Sequence, residues 1–241
     1  MEIKCKLCLE QGPSSQSHII PKSLLKNVYL HSSIKSEPSK RYWGGIYDRN
    51  ILCQSCEANY MKWDCYAKIF LDNPLKNQRA LAYQQDYEII GYELYNVDYK
   101  QLKLFALSLL WRMHTTQHEN FKEVNLKHYI DRIRTLILNQ DPAKDTEFAI
   151  ILGKFNYDKN PISFHTSPFR KKIEGINYYI VHIYGYTLYI KVDKQTRLTS
   201  FQEVRLKEDG HLLLITRDFE TSKEKNYLIN LLRNNQRLGK K

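Results

Sequence analysis

Two Cys-x2-Cys pairs, Cys5 with Cys8 and Cys53 with Cys56, limit what this 241-residue chain can fold into more than any other feature. Each such turn offers two thiolates at the spacing a tetrahedral ion accepts, and two turns from distant parts of a chain complete one four-sulfur site. Zinc is the ion expected there. Closing the site draws Ser17-His18-Ile19-Ile20-Pro21, which lies between the pairs, and the stretch from Asn50 to Glu57 into one small volume. Thiols spaced for a metal rather than for a disulfide framework fit a reducing compartment, so a cytoplasmic location is expected. Cys65, the fifth cysteine, reads as a small buried apolar residue on a helix.

Hydrophobic residues make up 42% of the chain, enough for a real core, and no run approaches the roughly 20 apolar residues of a membrane span. The opening Met1-Glu2-Ile3-Lys4-Cys5 lacks the apolar centre of a secretory signal. A soluble globular protein is expected. Lysine plus arginine outnumber aspartate plus glutamate by 37 to 26, and the net charge of +11 favours a polyanionic partner. That excess is spread along the chain, with denser stretches at Arg170-Lys171-Lys172 and at Arg233, Arg237, Lys240 and Lys241.

Three regions emerge from the pattern: residues 1–72 with every metal-type and catalytic-type signal, a helical stretch over 73–145, and a β-sheet region over 146–241. Residues 31–40 have no apolar period and read as a loop, while the aromatics and paired glycines of residues 41–47 suit a short strand and a tight turn. Residues 57–71 contain no Gly or Pro and read as a helix. Asp98 is placed to cap a second, in which Leu102, Phe105, Ala106, Leu109, Leu110 and Met113 recur at three- and four-residue steps. Asn125 caps a third, with Tyr129, Ile130, Ile133 and Ile137 on one face, and the last two helices read as an antiparallel pair. Residues 148–152, 178–184, 187–192 and 211–216 are β-branched and aromatic, as antiparallel strands require. Gly185-Tyr186 reads as a hairpin turn with glycine at its first position, and a final helix is expected over residues 222–234.

Ser17-His18-Ile19-Ile20-Pro21 and Asn50-Ile51-Leu52-Cys53-Gln54-Ser55-Cys56-Glu57 together resemble the HNH nucleases, the zinc-ribbon branch of the ββα-metal (His-Me) finger superfamily. The resemblance covers roughly the first quarter of the chain. It implies an N-terminal zinc-bound ββα finger; with the helical middle and the C-terminal antiparallel sheet and final helix read from the residue pattern, the expected fold class is α+β. It also implies hydrolysis of DNA phosphodiester bonds. Such chemistry needs a water relieved of its proton, for which imidazole is suited, and a divalent cation to neutralise the phosphate and departing oxygen. By resemblance His18 is the general base, Asn50 or a nearby backbone carbonyl steadies its ring, and Glu57 is a hard oxygen ligand for magnesium or manganese. The family usually has Asp, Glu or His just before the catalytic histidine, where this chain has Ser17. Asp64, two helical turns beyond Glu57, projects from nearly the same face and is a candidate second carboxylate for that ion, with a purely structural role as the alternative. The same Ser-His-Ile-Ile-Pro and Cys-Glu combination is similar to that of bacterial proteins of comparable size, some with the look of phage-defence components.

Lys22, Lys26, Arg41, Arg49 and Lys62 lie near these motifs and are candidate phosphate contacts. His114 and His118 have metal-capable spacing but lack the glutamate of zinc proteases, and read as an ordinary helix face. Trp111-Arg112 reads as packing plus a surface ion pair, and the tyrosines of the strands as sheet packing. Two further readings stand beside the nuclease: a non-catalytic zinc-stabilised nucleic-acid-binding or adaptor module, and a finger regulated by a partner protein or signal acting through the C-terminal region.

Overall fold

A computed structural model describes residues 1–25, 45–76, 79–85, 88–157, 160–161, 167–219 and 221–222. The expected loop at 31–40, most of the strand at 41–47, and nearly all of the helix at 222–234 lie outside these residues, as do Lys26 and Arg41. The N-terminal region is built from short pieces. β1 (Glu2–Lys4) and β2 (Gln11–Pro13) pair antiparallel around the first cysteine turn, and β3 (Ser17–His18) pairs antiparallel with β4 (Tyr47–Asp48). Strands this short are not stable alone. They are held by the helix α1 (Gln54–Asp72), whose inner face of Cys56, Tyr60, Trp63, Ala67, Phe70 and Leu71 is buried at helical spacing.

Next comes a hairpin, β5 (Arg79–Gln85) and β6 (Glu88–Tyr95), where only helix was expected. Asp98 then caps α2 (Tyr99–Thr115) by accepting the Gln101 N–H at 2.9 Å, as its position promised. Every residue of α2 from Leu102 to Met113 is buried. A helix enclosed on all sides is the centre of its domain, and α2 packs against α1, α3 (Ile130–Leu138) and the sheet. Asn125 accepts the Lys127 N–H at 3.0 Å in the turn that leads into α3, but the residue at the start of the short 3-10 turn is Leu126 and at the start of α3 Tyr129, so the expected Asn125 cap is corrected to a local turn contact. His118 is not on α2 but caps a separate 3-10 turn at Glu119–Phe121.

The sheet comprises β5, β6, β7 (Ile150–Tyr157), β8 (Asn160–Pro161), β9 (Phe169–Ile173), β10 (Ile176–Ile183), β11 (Tyr186–Lys191) and β12 (Leu212–Asp218). Its order is β5-β6-β12-β7-β11-β10-β9, with β8 added beside β7. Two expectations are corrected here. The sheet is not purely antiparallel, because β12 runs parallel to β7, and it takes two strands from the stretch read as helical. The β10–β11 turn is Tyr184-Gly185, both at positive φ (53° and 80°), so glycine occupies the second turn position and the turn has the hand that suits strand twist. Burial of β10 and β11 is continuous rather than alternating: α2 covers one face, while Phe201 and Val204, in and just after the short helix α4 (Ser200–Glu203), pack on the other. Among the described residues no helix is long and apolar enough to cross a membrane.

Candidate functional site

The two cysteine turns meet. Sulfur atoms of Cys5, Cys8, Cys53 and Cys56 all lie within 4.8 Å of one another, and Cys8 and Cys53 are 4.0 Å apart. Tetrahedral zinc, with bonds near 2.3 Å, sets sulfur separations of about 3.8 Å, so the donor set fits such an ion. Local backbone makes the approach possible. Leu9 takes a left-handed conformation (φ 70°) to close the first turn, the Lys6 N–H donates to Ile51 O at 3.0 Å, and Cys53 is the residue from which α1 starts. Without a cation the cluster is in conflict. Burial and the other sulfurs push the Cys56 thiol far up and burial raises Cys8, whereas at Cys53 hydrogen bonds from Ser55 and the Cys56 backbone outweigh burial and bring it to about 7. A bound metal ion resolves the conflict by releasing the protons.

Around this knot stand most of the residues singled out from the sequence. His18 pairs with Tyr47 across β3 and β4, its ring edge-on to the tyrosine at 6.3 Å. Gly45, at φ +80°, presses on the other part of the imidazole: a Cβ there would sit 2.9 Å from His18 Cδ2 and 3.3 Å from Nε2. Glu57 occupies the first turn of α1. Burial raises the pKa of its carboxyl, against which the Ser17 hydroxyl, the Arg112 guanidinium and His18 all act, while Asp64 adds to the rise. Ser17, fully buried, is near enough to influence the carboxylate, yet its Oγ and Glu57 Oε2 make no hydrogen bond of full geometry among the described residues. A buried carboxylate oxygen without a hydrogen bond among the described residues, close enough to a histidine to feel its charge, suits a hard cation.

Two of the expected roles meet different geometry. Asn50 is exposed, and its N–H is held by Asp48 Oδ1 at 2.8 Å in a local turn. Asp64, expected as a second carboxylate for the ion, has both oxygens taken by Arg112 at 2.9 and 2.7 Å. Arg112 in turn is not at the surface; it is fully buried, stacks over Tyr60 at 5.4 Å, and donates from Nη1 to the His18 carbonyl at 2.7 Å. Lys22, Arg49 and Lys62 are exposed, with the Arg49 guanidinium over the Tyr47 ring at 5.8 Å. Cys65 is exposed, because α1 turns it away from α2. His114 Nδ1 lies 3.0 Å from Val124 O, which accounts for it structurally.

Sequence reasoning missed two contributors. Asp48 Oδ2 accepts from Thr116 Oγ1 at 2.8 Å, tying β4 to the end of α2. The Asp-x-Asn spacing of Asp48 and Asn50 was a legible signal for the local turn. Arg112 was the other, and a guanidinium within the apolar run of residues 104–113 was the hint. A cavity of about 580 Å³ lined by Tyr99, Asp141, Lys144 and Glu208 shares no residue with this site. Comparison with protein-family models, curated proteins and solved structures finds no match for this chain.

Proposed function

We propose that this protein is a metal-dependent endonuclease of the HNH type that hydrolyses DNA, with a structural zinc ion at its four cysteines. The observation that carries the proposal is the closure of the four sulfurs within 4.8 Å, which joins a histidine on a strand pair to a carboxylate in the first turn of the next helix. His18 would take the proton of the attacking water, and Glu57 would be the oxygen donor holding a magnesium or manganese ion, whose charge would serve to neutralise the departing oxygen. The net charge of +11 and the exposed Lys22, Arg49 and Lys62 favour a polyanionic substrate. Incubating purified protein with plasmid DNA and magnesium or manganese tests the reading. Nicking is expected, and His18→Ala should reduce it by at least about 100-fold while zinc content and unfolding temperature stay unchanged. Cleavage by the variant at the parent rate removes His18 from the mechanism.

One observation favours the second reading, a non-catalytic nucleic-acid-binding or adaptor module. The residue beside His18 is the buried Ser17, and Asp64 is committed to Arg112, so Glu57 is the one carboxylate of the motif left for the ion. Salt-dependent DNA binding without cleavage under any divalent cation decides for that reading. Action within phage defence, and regulation through the C-terminal region, are extensions of the nuclease proposal that cleavage of phage DNA and stimulation by an added partner would test.

A further inference from the structure

We infer that Arg112, on α2 and outside the segment that carries the cysteine motifs, is the positioning residue that sets His18 against Glu57. The inference rests on the reading of these two residues as a working pair, and extends the site into the helical core.

The geometry is specific. One guanidinium binds three groups from three elements: Nη1 to the carbonyl of His18 on β3 at 2.7 Å, both terminal nitrogens to the carboxylate of Asp64 on α1 at 2.9 and 2.7 Å, and Nε to Ser108 O on α2 at 3.3 Å. The strand bearing the histidine and the helix bearing the glutamate are thereby fixed to one rigid planar fork. Arginine is the side chain that can do this, since lysine offers a point charge and cannot span a carboxylate and a carbonyl in one plane. Position is all that this contact controls at His18, because it engages the backbone oxygen and leaves the imidazole to face Gly45 and Tyr47.

Stability alone does not account for such a group. A largely buried ion pair recovers little more than its desolvation cost, and an apolar residue of similar volume serves packing as well or better. Arg112 is 0% exposed and Asp64 only partly so, in a helix whose other buried residues are nearly all apolar. The charge also reaches Glu57, whose carboxylate it steadies while Asp64 opposes. One cation thus holds the histidine strand and faces two carboxylates: each Asp64 oxygen accepts from it, while Glu57 Oε2 has no hydrogen bond of full geometry among the described residues.

The test uses the full chain with three variants: Arg112→Met, Arg112→Lys and Asp64→Asn. Each is measured for zinc content, for the NMR resonances of the His18 ring and the Ile19 amide, and for kcat and KM of plasmid cleavage with manganese. Arg112→Met is expected to keep its zinc, shift or split the His18 ring signals, and lose about 100-fold in kcat with KM within a few-fold, as a misplacement of about 1 Å would cause. Arg112→Lys should recover less than a tenth of the lost rate. If Arg112→Met fails to fold, Asp64→Asn carries the test, with an expected loss of about 10-fold in kcat, equivalent to roughly 1.4 kcal/mol, since an amide NH2 cannot accept from the guanidinium and one hydrogen bond of the fork is lost. A folded Arg112→Met with parent ring signals and parent kcat overturns the inference, as does Asp64→Asn at the full rate when Arg112→Met does not fold. Should the parent protein not cleave DNA at all, the nuclease reading fails by itself. The ring signals then decide separately whether Arg112 positions His18.

Discussion

Arg112 Nη1 lies 2.7 Å from the carbonyl oxygen of His18, 94 positions away in the chain. Two further contacts of the same kind dock the cysteine region on the helices: Arg134 Nη1 donates to Leu7 O at 2.8 Å, and Lys6 Nζ to Thr115 O at 3.3 Å. Cationic side chains therefore meet backbone oxygens on both sides of the junction. The N-terminal motifs are not an appendage on a carrier domain, because α2 and α3 complete them.

Metal removal is expected to unfold this junction. Structural zinc in small sites contributes on the order of 10 kcal/mol, more than most domains have to spare. Elemental analysis should find zinc bound to the protein, and Cys56→Ser or a strong chelator should lower the unfolding temperature sharply and expose Trp63, which is buried against Tyr60 with ring centres 5.3 Å apart. A protein that keeps its unfolding temperature without zinc contradicts the metal-knot proposal.

Gly45→Ala is expected to act on the imidazole. At φ +80° the substitution strains the backbone by about 1–2 kcal/mol, and its methyl carbon would lie 2.9 Å from His18 Cδ2. A modest fall in unfolding temperature should come with a fall in cleavage several times larger than that of an exposed control away from the site such as Lys194→Ala. Equal effects of the two variants would refute the close approach.

Arg49 and Lys22 are expected to contribute electrostatics rather than chemistry. Each phosphate contact removed should reduce the slope of log affinity against log salt by about 0.9, with kcat at saturation unchanged. Fluorescence titration of a labelled duplex at several salt concentrations measures the slope. An unchanged slope in the double alanine variant places the DNA elsewhere.

Lys103 gives the fold a pH signature. It is 1% exposed, donates to the carbonyls of Lys144 and Glu147 at 3.3 and 2.6 Å, and burial pulls its pKa from 10.5 to about 7. Below pH 7 both folded and unfolded chains hold the proton and the cost of burying it is fully present. From pH 7 to about 10.5 the unfolded chain keeps a proton that the folded one has released, so stability rises with pH by up to about 1.4 kcal/mol per unit. Denaturant unfolding of the parent and of Lys103→Met across this range should show the rise in the parent and its loss in the variant. Parallel curves would contradict a depressed lysine.

The parts legible in the sequence are those set by local chemistry. Two Cys-x2-Cys turns, the Asp98 cap and the periodic apolar residues of α2 each declare themselves within a few positions. What was missed depends on partners far away. Residues 79–85 read Arg-Ala-Leu-Ala-Tyr-Gln-Gln, rich in helix formers, and become a strand because β6 pairs with β12 from the far end of the chain. Cys65 was read as buried because free cysteine usually is, but Trp63 and Ala67 take the inner face and leave it outside. The Asp64 carboxylate looked available for a cation, and nothing within its own helix announces that the cation is a guanidinium.

The parallel pairing of β12 with β7 has a bearing on assembly. β12 is the last described strand in the chain, yet it sits in the middle of the sheet, between β6 and β7. The β5–β6 hairpin thus joins the other strands only after residues 212–218 have left the ribosome and slotted in, although the helix that receives the histidine loop lies well upstream. Such late, long-range closure makes folding slow, and a nascent or truncated chain ending before β12 exposes two open strand borders, inviting intermolecular pairing until the wedge is in place.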